Sequence, residues 1–352
     1  MRIPITLSLA AALVAAPALA QAPASPLPQD ELVRRLSTTL DSLSAADAFS
    51  GVVVLARGGA PVWERAYGMA DREARRPNDV ETAFNLGSIN KIFTLTAVRQ
   101  LAAEGKIQLD STLAWHWPDY PNAEVARRVT IRQLLEHRSG IGGNIFGVPA
   151  SGSRTTIRRL RDFLPLFVNE PLQFDPGTQQ RYSNAGYVVL GLLVERLSGE
   201  DYYDYVRRHI YEPAGMTRTA HFAVDSLPAN TAIGYSRGGP GSAGGEPIHR
   251  NTETLPGRGS SAGGGYSTAH DLMRFVQALR ERRIPGGPPP GLGIAGGSPG
   301  VNAIVEGEIP GGYDLIVLTN LDPPAAERVG RMVRGWMGAQ DDDGPPPARP
   351  RP

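Results

Sequence analysis

Ser88 and Lys91 stand three residues apart in Ser88-Ile89-Asn90-Lys91, ahead of Ile92, Phe93, Leu95, Val98 and Leu101, whose spacing predicts a helix. Helix positions i and i+3 share a face, so the lysine head group reaches back one turn to the hydroxyl. A serine hydroxyl is a poor nucleophile until a neighbouring base takes its proton. Lysine can be that base only if its pKa falls from about 10.4 toward 7, which costs about 4.6 kcal/mol of burial or like-charge pressure. Arginine, charged at any working pH, cannot serve. The chain makes this distinction itself, because of its 36 basic residues only Lys91 and Lys106 are Lys. Lys106 has no Ser three before it and reads as a solvated loop charge. The bland alternative is a surface Ser and Lys that share a face by chance.

A second group follows about ninety residues later, where Asp175-Pro176-Gly177 precedes Arg181-Tyr182-Ser183-Asn184 and an apolar run from Tyr187 to Leu197. Tyr182 and Asn184, two apart in an extended or turn segment, point to one side. A phenol lowered by a nearby ammonium can accept a proton from Ser and return it to a leaving group, and Asn184 can hold Lys91 or a substrate carbonyl. Taken alone, Tyr-Ser-Asn before a helix is an ordinary capping turn. Gly259-Ser260-Ser261-Ala262-Gly263 fits the G-x-S-x-G elbow, but no strand precedes it and the only downstream His, His270, lies nine residues on, so a Ser-acid-His triad cannot be assembled. The six His residues show no metal spacing and read as surface or packing groups, His137 as a buried hydrogen-bonding one. No glycine-rich loop carries the Gly-Lys-Ser/Thr of a phosphate cradle, and no cofactor is expected.

The elements that must position these residues are legible in outline. Leu32, Val33, Leu36, Leu40 and Leu43 predict an amphipathic first helix, and Gly51 to Ala56 with Val62 to Tyr67 predict a hairpin closed by Arg57-Gly58-Gly59-Ala60. From Gly87 to Thr219 the pattern is mostly helical. A helix opens at Ser267-Thr268, strands are expected at Val301 to Val305 and Tyr313 to Thr319, and a last helix around Ala325 to Met337. Arg283 to Gly300 is so rich in Pro and Gly that it should hold little regular strand. This predicts an α+β fold, an antiparallel sheet flanked by helices with a mostly helical second subdomain. The sheet would come from about 48–70 and 293–320, and the helical part from about 87–230.

Composition narrows the function. A net charge of +1 leaves no surplus for a nucleic-acid backbone or an anionic membrane. The absence of Cys excludes thiol nucleophiles, disulfides and Cys-ligated metals. Residues 1–20 read as a secretory signal peptide, with an apolar stretch ending in Ala18-Leu19-Ala20 and cleavage expected after Ala20. A periplasmic or secreted protein without stable membrane insertion is therefore expected. Residues 21–338 form the folded domain, and 339–352 an acidic, Pro-rich disordered tail.

The Ser-x-x-Lys and Tyr-Ser-Asn groups, in this order, resemble the serine beta-lactamase and penicillin-binding protein superfamily, and within it the branch of class C beta-lactamases, D-alanyl-D-alanine carboxypeptidases and esterases. The resemblance runs from about Gly51 to Leu321. It includes Phe84-Asn85-Leu86-Gly87, Leu134 to Ile141, Pro213 to Thr217 and Gly263 to Thr268. It implies a beta-lactamase/transpeptidase-like fold with Ser88 as acyl-accepting nucleophile, Lys91 as its activating partner, Tyr182 as general base and later acid, and Asn184 as a positioning residue. The superfamily's third motif, Lys-Thr-Gly or His-x-Gly, falls on Ile294-Ala295-Gly296-Gly297. There the backbone of Gly296 and Gly297 is kept, with the Gly297 and Ser88 N–H groups as an implied oxyanion hole, while Ile294 replaces the cation or imidazole. The expected activity is hydrolysis of ester, amide or beta-lactam carbonyls in a small-molecule or peptide acyl substrate, with uncharged esters favoured. The alternative is a catalytically degenerate scaffold that keeps only the fold.

Overall fold

Gly51–Arg57 (β1) is an almost unbroken apolar run, and such a strand needs cover on both faces. The computed structural model describes residues 26–147, 152–238, 247–289 and 291–338, and in it β1 is buried from Gly51 to Ala56. Its hairpin partner is Ala60–Tyr67 (β2), joined through Gly58 and Gly59. Both glycines have positive φ, +59° and +81°, the backbone that a two-residue turn matched to strand twist requires. Three strands come from the far end of the chain: Gly293–Ser298 (β3), Val301–Ile309 (β4) and Tyr313–Thr319 (β5). The five form one antiparallel sheet in the order β2-β1-β5-β4-β3, with Val53 opposite Val317 in the β1–β5 register. Distant segments thus close one sheet, as the two-ended strand pattern predicts.

Side-chain alternation sends the two faces of each strand into different cores. Val53, Leu55, Leu315 and Val317 pack with Leu32, Leu36 and Leu40 of the first helix, Gln29–Ala45 (α1), and with Val329 and Val333 of the last helix. Val52, Val54, Ala303, Val305, Ile316 and Leu318 join a larger core on the opposite face. That core is built on Lys91–Ala103 (α2), Asn184–Ser198 (α3) and Ala269–Arg280 (α4), and Ala325–Trp336 (α5) is the last helix. The helix at α4 starts where Thr268 accepts a hydrogen bond from Asp271 N at 3.1 Å, a cap visible in the sequence.

Composition alone argues against regular strand in Arg283 to Gly300, and the structure corrects this for its last third: Gly293–Ser298, inside the expected 293–320 sheet range, pairs with β4 over six residues, from Gly293 opposite Glu306 to Ser298 opposite Val301. The ladder and a close approach explain why glycine suits this edge. A Cβ on Gly296 would lie 2.2 Å from Leu86 O and 2.8 Å from Ser88 N, so only a bare backbone lets β3 press against the Ser88 turn. The expected signal peptide, 1–20, and the expected tail, 339–352, lie outside the described residues. Among the described residues no helix is long and apolar enough to cross a membrane.

Candidate active site

Ser88 lies in a single 3-10 turn, Gly87–Asn90, which runs directly into α2, so Lys91 is the first residue of that helix. The turn is pinned from both sides. Asn85 Oδ1 accepts from Gly87 N at 2.9 Å, and the buried Asn90 Oδ1 accepts from Gly265 N at 2.8 Å. Tyr182 and Asn184 enter from the start of α3, where Ser183 caps the helix by accepting from Gly186 N at 3.0 Å and donates its own hydroxyl to Ile141 O at 2.7 Å. Capping and chemistry coexist here, with the Ser between the two functional residues fixing the helix end that aims them.

The side chains converge on one oxygen. Lys91 Nζ is 3.1 Å from Ser88 Oγ and donates to Asn184 Oδ1 at 2.7 Å and to the Ala262 carbonyl. The Tyr182 phenol is 2.6 Å from the same Ser88 Oγ. Lys91 is only 6% exposed, and burial alone pulls its pKa from 10.5 to about 7. No carboxylate offsets that desolvation, since its polar neighbours are an amide, a carbonyl and a hydroxyl. A neutral amine fits this set by count: two N–H bonds for Asn184 and Ala262, and one lone pair for the Ser88 proton.

The expected lowering of the Tyr182 phenol does not occur. Burial of the hydroxyl pushes its pKa up, and the hydrogen bond with Ser88 only partly opposes this. The lowering required a permanent ammonium, and Lys91, although its Nζ lies 4.7 Å from the Tyr182 ring centroid, is itself poised between charged and neutral near pH 7. Tyr182 thus enters as a protonated phenol, suited to giving a proton before taking one.

His137, expected from the sequence as a buried hydrogen-bonding group, supports the site, as do groups beyond that reading. His137 stacks on Tyr182 with ring centroids 4.6 Å apart and accepts from Ser183 N at 3.1 Å. Burial, and then the nearby Lys91, drive its pKa down to about 4, which keeps the ring neutral and able to accept. The G-x-S-x-G segment also finds a role, though not as an elbow. Ser260 and Gly263 exchange backbone hydrogen bonds in a tight turn that presents the Ala262 carbonyl to Lys91, while Ser261 Oγ is turned away onto Tyr187 O. A carbonyl carries no residue signature, so no sequence pattern could have flagged it.

Ser88 opens onto a cleft of about 520 Å³, part of it open to solvent, walled by Ile145, Phe146, Phe163, Leu255, Pro256 and Asn184, with Gly297 on the β3 side. Gly296 and Gly297 therefore lie where the third motif places them, their backbone against the Ser88 turn. Ile294 shares the sheet face of Gly296 but is half-buried against the larger core and offers no charge. Among the described residues no group of three or more His, Asp or Glu could hold a metal ion.

The Beta-lactamase family model matches residues 32–330. Penicillin-binding protein 4* of Bacillus subtilis (strain 168) is 31% identical over 263 residues, 70% of this chain and 55% of that protein, so this chain spans little more than half of that relative's length. Esterase EstB of Burkholderia gladioli is 32% identical over 283 residues, covering 71% of this chain and 70% of the esterase. The crystal structure of a penicillin-binding protein from Bacillus halodurans superposes with a TM-score of 0.73 at 30% identity, over 85% of this chain and 98% of that one. A match that begins inside the first helix and ends inside the last places this chain in the Beta-lactamase family of serine hydrolases.

Proposed function

We propose that the chain is an exported hydrolase that forms an acyl-enzyme on Ser88 and prefers esters or amides whose leaving group carries no carboxylate. The observation that carries this reading is the Ser88 oxygen held between a buried lysine with a pKa of about 7 and a phenol with a raised one. Neutral Lys91 takes the Ser88 proton as Oγ attacks the substrate carbonyl. The oxyanion is held by the Ser88 and Gly297 N–H groups. The Tyr182 phenol protonates the leaving group as the tetrahedral intermediate collapses, and the proton held on Lys91 then returns to the phenolate. A water repeats the sequence on the acyl-enzyme, releasing the acid and restoring Ser88.

Ile294 supports the substrate preference, because penicillins and peptides ending in D-alanine both place a carboxylate on the leaving-group side, and the third-motif position that the resemblance assigns to gripping it is here an uncharged side chain packed against the core. Ile294 also favours the second reading, a scaffold that has lost turnover. Hydrolysis of short p-nitrophenyl esters, nitrocefin and D-alanyl peptides separates the two. Ester turnover that vanishes in Ser88→Ala supports the enzyme, and no turnover of any substrate supports the scaffold. Export rests on residues 1–20, and N-terminal sequencing of protein recovered from periplasm and medium tests it by looking for a new terminus at Gln21.

A further inference from the structure

The cleft beside Ser88 has an apolar wall of Ile145, Phe146, Phe163, Leu255 and Pro256, and its polar lining is neutral with one exception. Of its lining residues, Arg154 alone carries a charge. It is also the one arginine among the described residues with less than a tenth of its surface exposed, at 8%. The buried carboxylates among the described residues each have an opposite partner: Asp271 has Arg274, Asp314 has Arg280 and Glu306 has Arg334. Arg154 pairs with no carboxylate among the described residues. Its Nε donates to Thr254 O at 2.9 Å, and its Nη1 donates to Gly147 O at 2.7 Å and Ile145 O at 3.2 Å. Its Nη2 donates to no described residue. Three neutral carbonyls, with the Phe146 ring 5.9 Å from its Cζ, orient and partly stabilise the guanidinium without neutralising it, and a buried cation in that condition favours an anionic partner.

The side of the cleft decides what that anion belongs to. Tyr182, which protonates the departing group in the mechanism above, is not among the lining residues, whereas Asn184 and Gly297 are. The leaving group lies toward Tyr182, so the pocket holding Arg154 takes the acyl portion. We propose that Arg154 is a specificity-determining residue that selects substrates bearing a carboxylate on the acyl side of the scissile bond, beyond an apolar spacer that rests on Ile145, Phe163 and Leu255. This rests on the hydrolase reading and adds to it. The cation missing at Ile294 on the leaving-group side has a counterpart on the acyl side, so the preferred substrate is a half-ester or half-amide of a dicarboxylic acid with a neutral leaving group.

Two pairs of esters matched in chain length test this: p-nitrophenyl hexanoate against mono-p-nitrophenyl adipate, and p-nitrophenyl octanoate against mono-p-nitrophenyl suberate. The expected result is a kcat/KM about tenfold or more higher for the carboxylated member of at least one pair, the ratio a charge-assisted hydrogen bond supports. Arg154→Met should abolish the ratio, and Arg154→Lys should keep part of it. A residue that merely staples the 145–147 and 254 loops would lower both members of a pair together and leave the ratio alone. A ratio at or below one in both pairs with the native protein overturns the proposal, without any reliance on a variant that folds. A binding arm separates this failure from failure of the hydrolase reading. Calorimetry on Ser88→Ala with monomethyl adipate and methyl hexanoate needs no turnover; tighter binding of the carboxylate that is lost when Arg154→Met is added to Ser88→Ala supports the site, and equal binding overturns it.

Discussion

Replacing Lys91 by Arg should be nearly as damaging as replacing it by Ala. The substitution keeps a cation near Asn184 Oδ1, now 2.7 Å from Nζ, but removes the ability to give the charge up. With a pKa of about 7, Lys91 is about half neutral at pH 7. A guanidinium is neutral in fewer than about one molecule in 10⁵ at that pH. If the neutral amine takes the Ser88 proton, acylation should fall by about 10²–10⁴ in Lys91→Arg, the range that loss of a general base produces. The native enzyme should also show an acylation rate that rises with pH through about 7 and then levels, because the folded-state pKa is depressed and the active form is the deprotonated one. Stopped-flow release of p-nitrophenol from an uncharged ester measures both, with thermal melts to establish that each variant is folded. An Arg variant within about fivefold of native, or a rate flat from pH 5 to 9, would refute the reasoning and leave Lys91 as an electrostatic holder.

Tyr182→Phe keeps the ring stacked on His137 and removes the oxygen 2.6 Å from Ser88, so kcat should fall about a hundredfold or more for esters of poor leaving groups and much less for p-nitrophenyl esters, which a leaving-group series reads directly. Ile294→Lys or Ile294→His should raise kcat/KM for substrates with a leaving-group carboxylate by about ten- to a hundredfold relative to neutral esters, as about 1.5–3 kcal/mol of charge-assisted bonding allows; an unchanged ratio would mean that residue 294 does not reach the substrate. Gly296→Ala places a Cβ 2.2 Å from Leu86 O, so β3 must move from the Ser88 turn at a cost of about 1–3 kcal/mol, and both the melting temperature and kcat should drop. A variant with native values in both would detach Gly296 from the site.

The candidate catalytic side chains are legible in the sequence because each obeys a short-range rule. Ser88 and Lys91 share a helical face, Tyr182 and Asn184 share one side of a turn, and the scarcity of Lys marked the residue whose proton matters. The hairpin and the outer helices were equally plain, since apolar period and glycine turns are local signals. What composition and periodicity alone miss depends on long-range approach. Strand Gly293–Ser298 has little intrinsic preference for extended structure and forms because β4 supplies the ladder and the Ser88 turn demands a bare backbone. The upward shift of the Tyr182 phenol is not legible in the sequence, because its ammonium neighbour is itself desolvated by burial. Arg154 is indistinguishable in sequence from the many surface arginines until the fold buries it among carbonyls.

The central claim, a Ser88 nucleophile activated by a neutral Lys91, meets its most direct test in labelling with a fluorophosphonate probe followed by intact-mass and peptide-level mass spectrometry between pH 5 and 9. The account predicts one adduct per chain, mapped to Ser88, absent in Ser88→Ala, and forming at a rate that climbs through about pH 7. No adduct at any pH, or one that persists in Ser88→Ala, would contradict it.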